Sequence, residues 1–525
     1  MSETLHSITR TIVDGENNPV WLDHIYAVKG GDLVDIIDAI KRVHGPEVYL
    51  LPLSAVSAGG GVFQIEKPEN GTVVGLQLTP TATPDVGRSS QVDIRRIKPD
   101  QIRIDVEQKR LYAGSAITLE QLNQALGHEL CAQFKVLGAD LTSYTYAQVG
   151  ATFMTGGMGP QRRYFSDAVC EISLHDGEQM VSIEGEALKN YAGTFGWTGL
   201  VTAVCCAYFE LPANEIAFAI PVNNSAADLA RLLEHFSAFT YLQIEAGKVL
   251  SHDGGSDLIL GLEHITIDAM QPFIQSGDNE LTRRARQLQL NCEAANADGL
   301  IFVNAYSNQA ADEFLLGLVD DIDCEDFTIA GIRLDHTEIF NQPDQMRAVR
   351  EGVPFAARTR APQGRFLYKG HTDANIELNR ERVGESMHQL WLANQRYVGS
   401  VQSYIESNPL LTGQILVYGH LNPVGVDPHN RITLACDDEK VYHQAVSAIH
   451  ALRDEFTRSL RDVCDKTGSK FIGGEKSAAS EAEIFSGFNG PEQVPPVLAA
   501  KFRRQSATIR AASKLFNWRA IKPYR

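Results

Sequence analysis

Apolar and polar positions along the chain fall into two alternating kinds of segment. Short apolar runs bounded by Gly and Pro, namely "EVYLLPL" (47–53), "TVVGLQL" (72–78), "QIRIDV" (101–106) and "AVCEISL" (168–174), predict strands. Apolar residues at three- and four-residue intervals in "LVDIIDAIKRVHG" (33–45) and "TLEQLNQALGHEL" (118–130) predict amphipathic helices. A break follows at "FELPANEIAFAIPVNNSAADLARLLEHF" (209–236), where a Pro-bearing strand leads to Ser225, a residue suited to cap a new helix. Beyond it the strands "DLILGLEHITI", "GLIFVNAYS" and "GQILVYGHL" alternate with long amphipathic helices such as "ALRDEFTRSLRDVCDKTG". The pattern is α+β, with domains expected at 1–212 and 213–488 and a basic helical segment at 489–525. No internal repeat is visible.

Length and charge narrow the classes. At 525 residues one ordinary core is exceeded, so at least two domains are expected. A formal net charge of −18, from 47 basic and 65 acidic residues, argues against nucleic acid as a partner, because phosphate backbones require clustered cations. No amino-terminal basic-then-apolar leader and no uninterrupted run of about eighteen apolar residues appear, so neither a secretory signal nor a transmembrane segment is expected. The eight cysteines form no CxxC pair, which disfavours iron–sulfur and cysteine-built zinc sites and fits a reducing cytoplasm. The basic carboxy-terminal stretch offers contact with a redox partner or the periphery of the inner membrane, with a solvated surface helix as the alternative. A homodimer is compatible with the sequence and is not specified by it.

Three segments have an unusual texture: "LPLSAVSAGGGV" (51–62), "GADLTSYTYAQVGATFMTGGMGP" (138–160) and "GTFGWTGLVTAV" (193–204). Glycines among hydroxyls expose backbone N–H groups with little steric bulk, which suits a pyrophosphate; singly, each could be no more than a turn. No GxGxxG opens a helix after a first strand, and no GxxxxGK[ST] occurs, so neither a Rossmann nor a P-loop site is expected.

In their order these segments resemble the FAD-binding domain of the vanillyl-alcohol-oxidase (PCMH-type) flavoproteins, over about residues 20–212. The resemblance implies a two-subdomain FAD-binding domain, and assigns the cofactor to Ser54, Ser57, Ala58, Gly59, Gly60, Gly138, Ala139, Asp140, Ser143, Gly150, Ala151, Gly156, Gly157, Gly199, Leu200 and Val201. The first loop reads "SAVSAGGG" and has no His for a covalent bond, so noncovalent FAD is implied.

In the second half, polar residues collect in "MRAVREGVPFAAR" (346–358), "GRFLYKGHTDANIEL" (364–378), "VYGHLNPVGVDPHNRIT" (417–433) and "GSKFIGGEK" (468–476). Read by themselves, Arg350 could be an exposed helix cation, Lys369 could pair with Asp373 along a strand, and His420 and His429 would lie in a Pro-rich loop. The set is similar to the cap domain of the FAD-linked D-2-hydroxy-acid dehydrogenases, and implies an α/β cap with an antiparallel sheet. By that likeness Arg350 and Lys369 bind the substrate carboxylate, and His420, His429 and Glu475 ligate one divalent metal, Zn or Mn. Eight residues separate the two histidines, a wider spacing than the family's, and Lys476 stands where the family has a His. Candidates for catalysis are therefore His420, His429, His371 and Lys476. The carboxy-terminal segment would return to the FAD domain.

The expected activity is oxidation of a D-2-hydroxy acid to a 2-oxo acid, with hydride passing to the flavin and electrons to a quinone, an electron-transfer protein or a cytochrome. Two alternatives stay open: oxidation of a neutral alcohol or phenol on the same fold, and a binding protein that has lost the chemistry.

Overall fold

The structure is a computed structural model. It describes the two-residue strands at 6–7, 12–13 and 19–20 and most of residues 22–473, leaving out 29–32, 46–47, 54–71, 80–81, 131–133, 137–138, 140, 142, 162–163, 177–178, 194–197, 240–243, 246–247, 250–257, 324–325, 360–361 and 373. The chain divides into one compact unit of residues 1–158, 163–211 and 475–525 and another of residues 159–162 and 212–474.

Among the described residues the first unit holds, besides two-stranded pairs of Ile12–Val13 with Pro19–Val20 and of Phe134–Lys135 with Phe209–Glu210, two main sheets. In the smaller, β1 (His24–Val28) and β2 (Tyr49–Leu53) each pair in parallel with β3 (Val73–Leu78), and the helix α1 (Leu33–His44) connects the first two. Parallel neighbours need such a crossover, and α1 packs Ile36, Ile37 and Ile40 onto the sheet. The larger sheet uses β4 (Asp85–Arg88), β5 (Gln101–Asp105), β6 (Arg110–Gly114), then, after the helices α2 (Leu119–Leu130) and α3 (Val149–Thr155), β7 (Val169–His175), β8 (Met180–Glu184) and β9 (Leu200–Ala207). Their spatial order is β8-β7-β9-β6-β5-β4, antiparallel except for β4 with β5. One face of it packs on α2 and α3 through residues such as Leu111, Leu122, Phe153 and Val204. The other carries a smaller cluster of Ile94, Ile97, Tyr112, Ala203 and Cys205.

The second unit is built on one antiparallel sheet covered by helices on both faces. Its main elements are β10 (Asn214–Val222), α4 (Ala226–Phe236), β11 (Leu258–Thr266), α5 (Ile267–Ile274), α6 (Glu280–Ala295), β12 (Gly299–Ser307), α7 (Pro343–Thr359), β13 (Phe366–Thr372), β14 (Asn375–Glu377), α8 (Val383–Ser407), β15 (Thr412–Asn422), β16 (Gly425–Cys436), α9 (Glu439–Thr467) and β17 (Lys470–Gly473). From the short strand Glu338–Ile339 the sheet runs β10-β12-β11-β15-β16, and both β13 and the β14–β17 pair continue from β16. Ser225 caps α4 as expected, its hydroxyl accepting from the Asp228 amide at 3.0 Å. Residues of alternating parity go to opposite helix layers. Ile216, Phe218 and Ile220 join α4, α8 and α9, whereas Ala217 and Ala219 join α5, α6 and α7. A strand covered on both faces is apolar at nearly every position, which is why "IAFAIPV" shows no alternation.

The helix read at "ALRDEFTRSLRDVCDKTG" begins earlier, at Glu439, because Asp438 caps it by accepting from the Val441 amide at 3.0 Å. Among the described residues no helix is long and apolar enough to cross a membrane.

Candidate active site

The hairpin of β15 and β16 sets the geometry of the second unit's polar face. Asn422 and Gly425 form its last pair, so Pro423 and Val424 make a two-residue turn. His420 and His429 therefore sit on paired strands, correcting their placement in a Pro-rich loop. Polar residues at every second position looked like a loop because the face that carries them is buried and polar together.

Register assembles a row across four strands. His420 lies opposite Glu263 of β11 on one side and Asp427 of β16 on the other. Tyr418 faces His429, and Leu416 faces Arg431. Arg431 in turn faces His371 of β13, and Thr433 faces Lys369. Cross-strand partners share a face, so Glu263, His420, Asp427, His429, Arg431 and Lys369 form one polar surface. The two imidazoles are 4.9 Å apart, edge to face. From α7, Arg350 Nε reaches Glu263 Oε2 at 3.0 Å, and His420 Nδ1 is 4.0 Å from the same oxygen. Arg350 is 2% exposed and Glu263 wholly buried, so the reading of Arg350 as an exposed helix cation is set aside. Asp427 accepts from the Ala374 amide at 2.9 Å, fixing the connection between β13 and β14 to this surface.

A close approach makes this hairpin. A Cβ on Gly419 would stand 2.5 Å from the Asp427 carbonyl oxygen and 2.9 Å from Pro428 Cα. Only glycine lets β15 pass Pro428 while keeping His420 and His429 in register.

The reverse face of the same strands is structural. There the Asn430 amide donates to Asn394 Oδ1 at 2.7 Å, and Thr372 bonds the Tyr397 hydroxyl at 2.9 Å, both tying the sheet to α8. His264, next to Glu263 but facing the other way, is fully buried edge-on to Trp391, and burial holds its imidazole down to about 3.

In the first unit, the described parts of the three Gly-rich segments converge. Leu53, the last residue before the first loop, packs in one cluster with Ala116 and with Leu200 of the third segment. The Ser115 amide donates to Thr202 O at 2.9 Å, and the Gly193 amide to Phe153 O at 3.0 Å. Ser115 Oγ is buried beside this junction with no hydrogen-bond partner among the described residues. Several of the glycines are accounted for by packing. Gly150 leaves no room for a Cβ against Ser115, Gly156 closes α3 with a φ of 67°, and Gly157 lies against Thr152 and Leu141. Gly199, at a φ of 136°, is pressed on the His175 carbonyl. Ala139, Leu200 and Val201 are buried, and Ser143 and Ala151 are half-buried.

Ser54, Ser57, Ala58, Gly59, Gly60, Gly138, Asp140, Glu475 and Lys476 lie outside the described residues, as does the side chain of His371. The structure brings Arg350, His420 and His429 together around Glu263 and adds Asp427 and Arg431 to the face. Lys369 shares the face but pairs with Thr433, six positions along β16 from Asp427. Glu263, Asp427 and Arg431 were not singled out by the sequence reading. Two signals could have found them: the acidic residue inside the apolar run "LILGLEHIT", and the alternation of Asp427, His429 and Arg431 in "DPHNRIT". Among the described residues no group of three His, Cys, Asp or Glu side chains could hold a metal ion.

No family model matches the chain, and no curated protein matches it. Solved structures do. One of alkyldihydroxyacetonephosphate synthase superposes with a TM-score of 0.58 at 12% identity, covering 90% of this chain and 78% of that one. A second crystal form gives 0.57 at 10% identity, covering 97% and 78%. The chain thus has the α+β PCMH-type fold of these proteins.

Proposed function

We propose that the chain is a flavoprotein that holds FAD noncovalently through its first unit and oxidises a small D-2-hydroxy acid with the polar face of its second. The flavin part is supported by the shared fold and by the convergence of three side-chain-poor segments beside the buried Ser115 hydroxyl. Ala139, Ser143, Gly150, Ala151, Leu200 and Val201, with the loop at 54–60, would hold it; when bound, FAD supplies the hydride acceptor.

The observation that carries the substrate class is charge. The polar face together with Arg350 buries the cations Arg350, Lys369 and Arg431 beside the carboxylates Glu263 and Asp427 and the imidazoles of His420 and His429. Cations so placed are suited to receive a substrate carboxylate. Arg431 and Lys369 hold that carboxylate, while Glu263 keeps Arg350 aligned. His420 and His429 would take the hydroxyl proton, work that neutral imidazole performs near pH 7. A neutral alcohol or phenol would make no use of these cations. The metal reading rests on the adjacency of His420 and His429 together with Glu475, and elemental analysis of the purified protein tests it. Electrons would leave to a quinone, an electron-transfer protein or a cytochrome.

The test is a visible spectrum. A yellow preparation bleached anaerobically by D-lactate, D-malate or D-2-hydroxyglutarate, and not by benzylic alcohols, supports the proposal. A protein that stays colourless after incubation with FAD overturns it in favour of a binding protein. The fold it shares with alkyldihydroxyacetonephosphate synthase favours a second reading, in which the anion is a phosphate ester. A flavin spectrum perturbed but not bleached by an alkyl dihydroxyacetone phosphate, and indifferent to hydroxy acids, would select it.

A further inference from the structure

On the other side of the first unit's larger sheet, away from α2 and α3, four side chains make a cluster that the flavin reading does not use. β9 pairs with β6 so that Cys205 faces Tyr112 and Ala207 faces Arg110. β7 pairs with β9 on its other edge, with a bulge between Val169 and Glu171 that leaves Cys170 as the extra residue, beside Cys205 and Cys206. Cys205 is buried and Cys170 half-buried, and both thiols are free. Together with Tyr112, Ile94 and Ile97 they line one small cluster.

Most contacts around Cys170 favour negative charge on it, while the Glu171 carboxylate and a long thiol contact of 3.8 Å to the Ala168 carbonyl oppose it. The Cys205 thiol is hydrogen-bonded to Cys170, Arg110 lies close by, and the Ala207 backbone bonds to the same sulfur. These hold the Cys170 thiol below its ordinary range against the opposing effect of burial, while Cys205 is pushed up by the same sulfur–sulfur contact and by its burial. Tyr112 bonds both Arg110 and Cys205, which fixes the guanidinium and the second thiol in place. A partly buried sulfur thus stands against a fully buried partner sulfur on the neighbouring strand. Cys206, one residue away, points into the opposite core and is excluded from the pair.

We infer that Cys170 and Cys205 form a peroxide-reactive dithiol, with Cys170 the attacking and Cys205 the resolving residue. The Cys170 thiolate attacks one oxygen of a hydroperoxide. The O–O bond breaks, its electron pair leaves as hydroxide that takes up a proton, and sulfur becomes the sulfenic acid. Cys205 sulfur then attacks that sulfur, the S–O bond breaks, and the Cys205 proton leaves with the hydroxide as water. Two thiols and one hydrogen peroxide give one disulfide and two waters. The site stands independently of the flavin and substrate proposals.

The full-length protein is treated with one equivalent of hydrogen peroxide, its thiols are counted after denaturation, and its peptides are mapped. The expected result is loss of two thiols and a linked peptide pair carrying Cys170 and Cys205. Cys205→Ser is expected to leave a sulfenic acid on Cys170 that dimedone traps, and Cys170→Ser to abolish the fast reaction. Arg110→Gln, which leaves both thiols intact, is expected to slow the reaction about threefold or more near neutral pH, by raising the attacking thiol towards its ordinary range. Thiol loss unaffected by Cys170→Ser, or a disulfide joining other cysteines, overturns the inference. Should Cys205→Ser fold poorly, Arg110→Gln and the wild-type peptide map decide it alone.

Discussion

Arg350 Nε and Glu263 Oε2 stand 3.0 Å apart, one side chain on a helix and the other on a central strand, both out of reach of solvent. The pair joins α7 to the sheet at the point where the polar face begins, and His420 lies next to the same carboxylate oxygen. A buried ion pair is a weak source of net stability, because desolving two charges offsets most of their attraction. Its retention here is better explained by orientation: Glu263 holds Arg350 and His420 in one arrangement.

Removing one partner should therefore cost more than removing both. Arg350→Met strands a buried carboxylate and is expected to destabilise by about 3–5 kcal/mol. The double variant Arg350→Met, Glu263→Leu is expected to recover most of that stability while remaining inactive. Urea unfolding of the two singles and the double checks it, and additive losses would refute the orientation argument.

Lys369 would hold substrate charge from β13. Lys369→Met keeps most of the buried stem and deletes the ammonium, so kcat/KM for a hydroxy acid should fall by about 30- to 1000-fold, or about 2–4 kcal/mol. Bound flavin, read by absorbance, should be unchanged. Undiminished turnover would remove Lys369 from the site.

Gly419 is required by a backbone neighbour that cannot move aside without opening the hairpin. Gly419→Ala is expected to destabilise by about 1–3 kcal/mol and to lower activity more than stability predicts, because it disturbs the register of His420 with Asp427. Thermal unfolding with parallel kinetics measures both; an alanine variant as stable as the parent contradicts the close approach.

His264 makes the protein sensitive to acid. Its imidazole is held down to about 3 from the ordinary 6.5 by burial alone. Above pH 6.5 it is neutral folded or unfolded and has no effect. Between 6.5 and about 3 the unfolded chain binds a proton that the folded chain does not. Stability from this group therefore falls as pH falls, by up to about 1.4 kcal/mol per unit. His264→Leu should flatten that slope, giving a variant that gains on the parent steadily from pH 6.5 to 4. Denaturant midpoints at several pH values test this, and parallel curves for the two proteins would refute it.

Much of this was legible in the linear pattern. The periodicity at 33–45 and 118–130 marks helices that form within a residue or so of those bounds, because an amphipathic stripe needs only local spacing to be recognised. Strands such as Val73–Leu78 and Gln101–Asp105 were legible for the same reason. Arg350, Lys369, His420 and His429 stood out as polar residues in otherwise apolar surroundings. Glu263 carried the same signal, one carboxylate in the apolar run "LILGLEHIT", but its counter-ion is remote in sequence, so its place in the site emerges only from packing.

The chain by itself determined which residues would be helical, which extended, and which polar groups would have to be accommodated in an apolar interior, since these follow from neighbours a few positions apart. Only the tertiary structure decided which of them share a face. In a sheet that depends on register, and a slip of one residue would turn His429, Asp427 and Arg431 away from Glu263 and His420 and bury them among the aliphatics on the reverse side. Register is settled by pairing with β11 and β13, which are remote in sequence, and within the hairpin by the room that Gly419 leaves for Pro428, packing conditions that residue spacing alone does not encode.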